Sequence, residues 1–314
     1  MANAPGGSIC TEGVGGDQNY ETGAMKIATY RVGGERRVGI VDERRQTVTA
    51  FDLPESEAAL GVLALIDRPR WPGTLSPMPL REGTLEAPIP RPRRNIFCVG
   101  KNYHEHAQEF AASGFDSSAS SGAVPKHPII FSKVPDCVIA HRDLVTIDRK
   151  VSEAIDYEAE LGVIIGKRGR GILAANALDH VWGYTIVNDV TARDLQGLFS
   201  QWLIGKSQDT FCPMGPWAVT RDEIDLNDTK IQCWINGELR QSANTRDLIF
   251  DVPTIIATIS AGVSLIPGDV IATGTPAGVG IGFKPPKYLV SGDVARIEIS
   301  GIGVLENEFG EARR

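Results

Sequence analysis

An acidic segment that runs straight into an apolar one constrains this chain more than any other feature. The segment D-Y-E-A-E-L-G-V-I-I-G spans residues 156–166, and its β-branched second half predicts a strand. Alternate residues of a strand share a face, so Glu158 and Glu160 point away from Ala159 and Leu161. Neighbouring carboxylates repel each other and lose hydration when buried. The pair therefore lies on the solvated face of an edge strand, forms surface salt bridges, or belongs to a cation site.

A third carboxylate favours the cation site. The strand-like segment W-G-Y-T-I-V-N-D ends at Asp189, and three carboxylates on a β-rich scaffold form an all-oxygen site. Such sites suit Mg²⁺ or Mn²⁺, with water or substrate at the remaining positions. Cysteine and histidine are absent from this group, which disfavours zinc. We predict Glu158, Glu160 and Asp189 as metal ligands.

A histidine–glutamate pair follows an earlier strand. In F-C-V-G-K-N-Y-H-E-H-A-Q-E, the strand ends at Gly100 and a helix is predicted over Tyr103–Ala112. His106 and Glu109 are three residues apart and can meet on one helix face, where the carboxylate would orient the imidazole as a general base. The alternative is an ordinary surface pair. His104 lies on another face and is interpreted as a solvated spectator.

The chain is divided by composition. Residues 1–24 are poor in large apolar side chains and are interpreted as a flexible leader. Residues 25–90 are predicted to form a small N-terminal domain with a proline-rich linker from Pro69 to Pro92, and residues 91–314 a metal-dependent catalytic domain. The R-P-R-R run at 91–94 is either an anion site or, as we prefer, solvated linker.

The catalytic domain is predicted to be rich in strands. Helices are few and do not alternate regularly with strands, which excludes a doubly wound sheet and favours an α+β class. A small, polar stretch from Phe110 to His127 is too long for a turn and is predicted to be a lid that orders over the site. The predicted strands are Ile129–Ser132, Leu144–Ile147, Tyr157–Gly166, Val181–Asn188, Lys230–Ile235, Val263–Thr273, Asp293–Ser300 and Gly303–Glu308; a further helix is predicted at Val252–Gly262.

Charge and cysteine usage restrict the partners. A net charge of −7 and a pI near 5.4 disfavour nucleic acid and anionic membranes, although a bound cation still permits a small anionic substrate. The five cysteines are widely spaced and never form C-x-x-C, so reduced thiols in a cytoplasm are expected. We find no apolar run of transmembrane length and no secretory signal pattern.

Several other catalytic motifs are excluded. The glycines at 278, 280 and 282 imitate a dinucleotide fingerprint, but F-K-P-P-K follows where a helix would begin. The chain also has neither a G-x-S-x-G nucleophile elbow nor a G-x-x-x-x-G-K-[ST] phosphate loop.

Five motifs in order resemble the fumarylacetoacetate hydrolase superfamily, over residues 95–308. They are G-K-N-Y-x-x-H-x-x-E, D-Y-E-A-E-L-G-V-I-I-G, Y-T-I-V-N-D-V-T-A-R-D-L-Q, G-K-S-x-D-T-F-x-P-x-G-P and P-G-D-V-I-A-T-G-T-P-A-G-V-G. The resemblance implies a mixed β-sandwich or roll of the C-terminal-domain type of this superfamily, usually as a homodimer, with Mg²⁺ or Mn²⁺ bound by a 2-keto acid.

The resemblance also assigns roles. It places the metal on Glu158, Glu160 and Asp189 and the lid dyad on His106 and Glu109. It implies substrate binding by Arg193, Gln196, Lys206 and Thr275. Lys101 stands where several acylpyruvate hydrolases carry Arg, and a lysine is a point charge rather than a bidentate fork.

The function expected from the resemblance is hydrolysis of a carbon–carbon bond in an acylpyruvate such as fumarylpyruvate or maleylpyruvate, giving pyruvate and a second acid. His106 would activate a water, and the cation with Lys206 would stabilise the enolate. Three alternatives remain open: oxaloacetate decarboxylation, isomerisation of a hydroxymuconate-type diacid, and a non-catalytic metal-binding scaffold.

Overall fold

The structure is a computed structural model that describes residues 25–111, 124–199 and 201–311. The predicted leader at 1–24 lies outside these residues. So does most of the predicted lid, since residues 112–123 are not described. Both interpretations stay predictions.

The described residues form an α+β fold dominated by strands, as predicted. The helices are α1 Glu55–Ala58, α2 Leu63–Ile66, α3 His104–Ala111, α4 Arg193–Leu198, α5 Leu203–Lys206 and α6 Val252–Ser260. The strands are β1 Lys26–Val32, β2 Glu35–Asp42, β3 Thr47–Ala50, β4 Met78–Pro79, β5 Thr84–Glu86, β6 Ile96–Gly100, β7 Ile129–Lys133, β8 Val138–Ile139, β9 Val145–Ile147, β10 Ile155–Asp156, β11 Ala159–Ile165, β12 Val181–Asn188, β13 Thr191–Ala192, β14 Cys212–Thr220, β15 Lys230–Ile235, β16 Glu238–Asn244, β17 Val270–Ala272, β18 Val294–Ile299 and β19 Gly303–Glu311.

Two mixed sheets pack against each other. The larger follows the order β4-β3-β2-β1-β14-β12-β11-β17-β6-β7, with β5 beside β1 and β8 beside β14; the smaller follows β16-β15-β18-β19-β9. Side chains of β11, such as Leu161 and Val163, share one buried apolar cluster with Ile231 of β15 and Ile297 of β18. The core therefore lies between the sheets, in agreement with the predicted sandwich.

Strand β11 lies in the middle of the large sheet, between β12 and β17, and every residue from Ala159 to Ile165 is buried. The edge-strand interpretation of the two glutamates is therefore wrong. A strand buried on both faces reads as a nearly continuous apolar run, and this explains the segment L-G-V-I-I.

The N-terminal strands extend the same sheet, because β1 pairs with β14 through Lys26 and Ile27. The stretch from Pro69 to Pro92 is not an extended linker, since β4 pairs with β3 and β5 pairs with β1. Arg94 is not solvated linker either: its guanidinium binds the buried carboxylate of Asp269. The domain division at residue 90 stays a prediction.

Two predicted elements are shorter in the structure. Strand β17 covers only Val270–Ala272 of the predicted 263–273, because Ile266–Asp269 form a turn closed by the Asp269 carboxylate and Gly268 has φ +88°. Helical spacing of apolar residues also predicts one helix from Ser56 to Asp67, but the structure splits this run into α1 and α2 at Gly61, where φ is +63°. Among the described residues, no helix is long and apolar enough to span a membrane.

Candidate metal centre and substrate pocket

Strand register brings the three predicted metal ligands together. In the antiparallel pair β11–β12, Ala159 lies opposite Asn188 and Glu160 opposite Val187. The next residue of that chain, Asp189, therefore lies beside Glu158, whose carbonyl accepts its backbone N–H at 2.9 Å. One oxygen from each of the three carboxylates lies within 4.8 Å of the others, and all three residues are buried.

The electrostatics of this cluster are those of a cation site. Burial raises the pKa of Glu160 well above its usual range, and repulsion from Asp189 and Glu158 adds to the increase. Burial also raises the pKa of Glu158, but the charges of Lys206 and Arg193 outweigh it and hold the value at about 2. A clustered, buried, all-oxygen donor set of this kind fits Mg²⁺ or Mn²⁺, because such a cation relieves the repulsion between the carboxylates.

Two buried lysines hold the same carboxylates. Lys206 donates to Glu158 Oε2 and Asp189 Oδ2, at 2.8 Å each. Lys133, at the end of β7, donates to Asp189 Oδ1 at 2.6 Å, to the Val190 carbonyl at 3.0 Å and to the carbonyl of Lys206. Attraction to Asp189 outweighs the burial of Lys133 and raises its pKa. Lys133 was not among the residues expected from the sequence.

The guanidinium of Arg193, at the start of α4, is held on three sides. Its Nε donates to Asp156 Oδ2 at 2.8 Å, and its Nη1 lies 2.8 Å from Glu158 Oε1 and 3.0 Å from Gln196 Oε1. Its Nη2 is buried and has no hydrogen-bond partner among the residues that the structure describes. Arg193 and Gln196 both line the pocket beside the carboxylates, so this donor suits the oxygen of a bound anion.

The predicted dyad is formed on α3. His106 is buried, and its Nδ1 lies 3.3 Å from Glu109 Oε2. A carboxylate accepts hydrogen bonds, so Nδ1 carries the proton and Nε2 is left as the base. Glu109 also accepts from the backbone N–H of Gly278, at 3.1 and 3.3 Å. These contacts disagree with the ordinary surface pair, whereas His104 is exposed, as expected.

A single cavity of about 280 Å³ joins these groups. Lys101 and Thr275, both predicted to bind substrate, also line it, together with the apolar rings of Phe110, Phe131 and Trp202. Lys101 has φ +54°, a conformation that few non-glycine residues adopt, and its ammonium lies 5.5 Å from the ring centre of Phe110. The structure thus brings every predicted site residue to one cavity or, for Glu109 and Asp189, to the residues that line it.

Three buried residues around the pocket escaped the sequence reasoning. Asp156 and Lys133 hold Arg193 and Asp189, as described above. Gln241 of β16 accepts from the Ala159 N–H at 3.1 Å and donates to Thr275 Oγ1 at 2.8 Å. Asp156 belongs to the motif already identified, but Lys133 and Gln241 stand in ordinary strand sequence and carried no signal.

The chain is similar to known proteins in sequence and in fold. The family model described as "Fumarylacetoacetate (FAA) hydrolase C-terminal" matches residues 95–310. The chain is 50% identical over 232 residues to oxaloacetate tautomerase YisK of Bacillus subtilis (strain 168), a match that covers 74% of each chain.

Two solved structures are also similar. A fumarylacetoacetate hydrolase from psychrophilic Exiguobacterium antarcticum is 38% identical, with a TM-score of 0.78. A maleylpyruvate hydrolase from Sphingobium sp. SYK-6, in complex with a manganese(II) ion and pyruvate, is 29% identical, with a TM-score of 0.71. Each match covers 92% of this chain and all of the other. The homodimer and the cytoplasmic location stay predictions.

Proposed function

Since this chain belongs to the fumarylacetoacetate hydrolase family, we propose that it is a divalent-metal-dependent enzyme that interconverts the keto and enol forms of oxaloacetate or a closely related 2-keto diacid. The observation that carries the proposal is the buried Nη2 of Arg193, which lies beside the three-carboxylate cluster and has no hydrogen-bond partner in the described part of the chain. The cluster suits a cation that binds a 2-keto acid, and Arg193 beside it presents a donor to a carboxylate. The similarity to an oxaloacetate tautomerase supports the choice of reaction.

The charges around the pocket favour an anionic substrate. Among the described residues, four buried carboxylates and the partly buried Glu109 surround it, together with four buried cationic side chains. The buried residues are Asp156, Glu158, Glu160 and Asp189, with Lys101, Lys133, Arg193 and Lys206. A divalent cation would therefore leave a net positive charge, which a carboxylate of the substrate would offset. Burying a neutral ligand there would leave that charge in a poorly solvated site, which is costly.

The reaction moves one proton. In the keto form, His106 Nε2 would take a proton from C3, while Glu109 holds the ring through Nδ1. A divalent cation held by Glu158, Glu160 and Asp189 would supply Lewis-acid stabilisation of the negative charge that develops on the substrate. Lys206, which lines the cavity, would add a second positive charge, and His106 would return the proton to O2 to give the enol. No atom is gained or lost and no electron is transferred to another molecule.

Hydrolysis of an acylpyruvate is the second candidate. The same dyad could instead deprotonate a water that attacks the distal carbonyl, and the similarity to a maleylpyruvate hydrolase favours this reading. It differs from tautomerisation in needing room for a water and for the larger substrate.

A substrate panel tests the two candidates. Metal-loaded protein is offered enol oxaloacetate, fumarylpyruvate, maleylpyruvate and a hydroxymuconate-type diacid, with enol absorbance and pyruvate release followed separately. We expect rapid loss of the oxaloacetate enol without pyruvate release. Pyruvate from oxaloacetate would indicate a decarboxylase, and pyruvate from an acylpyruvate with no tautomerase activity would replace our proposal with the hydrolase.

A His106→Ala variant identifies the base. We expect a fall in tautomerase rate on the order of 10²–10⁴-fold, because a positioned general base contributes that much, while the cation still binds. The exposed His104→Ala is the matched control and should keep its rate. A near-normal rate in His106→Ala with full metal occupancy would remove His106 from the mechanism.

A further inference from the structure

The structure assigns a positioning role to Asp156. This carboxylate binds both the substrate-binding guanidinium of Arg193 and the glycine loop that donates to Glu109, and it fixes their positions relative to each other. The glycine loop is residues 278–282. The inference rests on the roles proposed above for Arg193 and Glu109. It concerns a residue that lies outside the three-carboxylate cluster and does not line the cavity.

Every acceptor position of Asp156 is in use. Oδ1 accepts from the backbone N–H groups of Tyr157 at 2.9 Å and Gly280 at 2.6 Å. Oδ2 accepts from the N–H of Ile281 at 3.0 Å and from Nε of Arg193 at 2.8 Å. The side chain is completely buried, so water cannot replace any of these bonds. Its four partners therefore keep a fixed arrangement around it.

This arrangement fixes the orientation of the Arg193 guanidinium. Arg193 is planar, and its Nε and Nη1 are both occupied, by Asp156 and by Glu158 with Gln196. The direction of the remaining Nη2 is thus set by its neighbours rather than by the flexible side chain. Without Asp156, the guanidinium would keep its contacts at Nη1 but could rotate about them.

The same hydrogen bonds also fix the position of the glycine loop, which binds the Glu109 carboxylate of the dyad. The loop that donates to Asp156 from Gly280 and Ile281 also donates to Glu109 from Gly278. It approaches Glu109 so closely that a Cβ at Gly282 would lie 1.8 Å from Glu109 Oε1. A shift of the loop at 280–281 must therefore displace the carboxylate that orients His106.

The Asp156→Asn variant tests this coupling. It keeps the shape of the side chain but replaces one carboxylate oxygen, which accepts two hydrogen bonds, by an NH2 group, which can only donate. Affinity of the Mg²⁺-loaded protein for oxalate and for malonate is measured by calorimetry, and the ring signals of His106 are followed by NMR. We expect about tenfold weaker binding of at least one dicarboxylate, together with displaced His106 signals. Neither readout depends on which reaction the enzyme catalyses.

Asp194→Asn is the matched control. Asp194 neighbours Arg193 on α4 and accepts from Ser152 Oγ at 2.6 Å and from Glu153 N–H at 3.3 Å, but it makes no hydrogen bond to the guanidinium or the glycine loop. It should leave both readouts at their wild-type values. Equal effects from the two variants would mean that loss of a buried acceptor near α4 is sufficient, and would overturn the assignment.

A second variant covers the case in which Asp156→Asn does not fold. Gly280→Ala keeps the carboxylate but places a Cβ 2.5 Å from the Lys287 carbonyl and 2.7 Å from Asp156 Oδ1, so it should displace the loop from Asp156 and move both readouts in the same direction. Arg193→Met is the reference for substrate binding. If it leaves both affinities unchanged, the proposed role of Arg193 fails and this inference with it. If Arg193→Met weakens binding but Asp156→Asn or Gly280→Ala moves only one readout or neither, the coupling alone is overturned.

Discussion

Replacement of the buried Lys133 by methionine should measure how much this lysine stabilises the buried carboxylate of Asp189. The ammonium is completely buried and makes three hydrogen bonds, one of them to Asp189 at 2.6 Å. The Lys133→Met change removes all three and leaves a buried carboxylate held from one side only, by Lys206. Removing one partner of a buried ion pair costs about 3–5 kcal/mol.

This loss can be measured as a melting temperature. For a chain of this size, about 2 °C per kcal/mol is the expected scale, so metal-free Lys133→Met should melt about 6–10 °C below the wild type. Saturating Mg²⁺ or Mn²⁺ should raise its melting temperature by more than it raises that of the wild type, because the cation also compensates Asp189. Calorimetric scans with and without metal give both numbers.

The control for this prediction is Arg246→Met, since Arg246 pairs with Asp228, both side chains are exposed, and a surface ion pair contributes at most about 1 kcal/mol. The double variant Lys133→Met/Asp189→Asn should recover part of the loss in the metal-free state. A decrease below about 2 °C in Lys133→Met, or a metal-induced rise no larger than in the wild type, would show that Lys133 is not needed to compensate Asp189.

Three further predictions address the metal, the dyad and pH. Chelation by EDTA should abolish turnover, and Mg²⁺ or Mn²⁺ should restore it; full activity in metal-stripped protein would contradict this prediction. Glu160→Ala should weaken the metal affinity measured by calorimetry by more than the roughly 10–100-fold that is typical when a residue behind a metal ligand is replaced. Gly282→Ala should lower the turnover number at least about tenfold without changing metal affinity, because its Cβ collides with Glu109, whereas Gly262→Ala, where a Cβ meets nothing within 4 Å, should have no effect. Burial and the neighbouring Arg142 lower the pKa of His141 to about 4, so its contribution to stability is intact above about pH 6.5 and is lost as pH falls towards 4, by about 3 kcal/mol. In His141→Gln, the urea midpoint should therefore fall less over this pH range than in the wild type.

Sequence reasoning succeeded where the chemistry is local. The strand carrying Glu158 and Glu160, and the helix carrying His106 and Glu109, each follow from residue spacing over about ten positions. The third predicted ligand, Asp189, was identified because a second strand ends there. The pairing of β11 with β12 is what actually brings it to the cluster, and no local pattern encodes that register.

The residues that were missed act across long distances in the chain. Lys133 reaches Asp189 from β7, and Gln241 reaches Thr275 from β16 on the smaller sheet. A lysine or glutamine in a strand is normally exposed, so burial of these side chains depends on the packing of the two sheets. The proline-rich stretch was predicted to be an extended linker for the same reason. It contains strand β5, which pairs with the distant strand β1, and no local pattern encodes that pairing.

The same geometry explains why relatives with different reactions can share this pocket. Tautomerisation and hydrolytic cleavage both place negative charge on the 2-keto oxygen, and in both Lys206 and a cation held by the carboxylate cluster would stabilise that charge. They differ in what the dyad deprotonates: a carbon of the substrate in one case and a water in the other. Phe110, Phe131 and Trp202 belong to the apolar part of the pocket lining, and hydrolysis needs room in the pocket for a water and a larger substrate. Enlarging the pocket by Phe131→Ala should therefore favour acylpyruvate hydrolysis over tautomerisation, and an unchanged ratio of the two activities would mean that the volume of the pocket does not select the reaction.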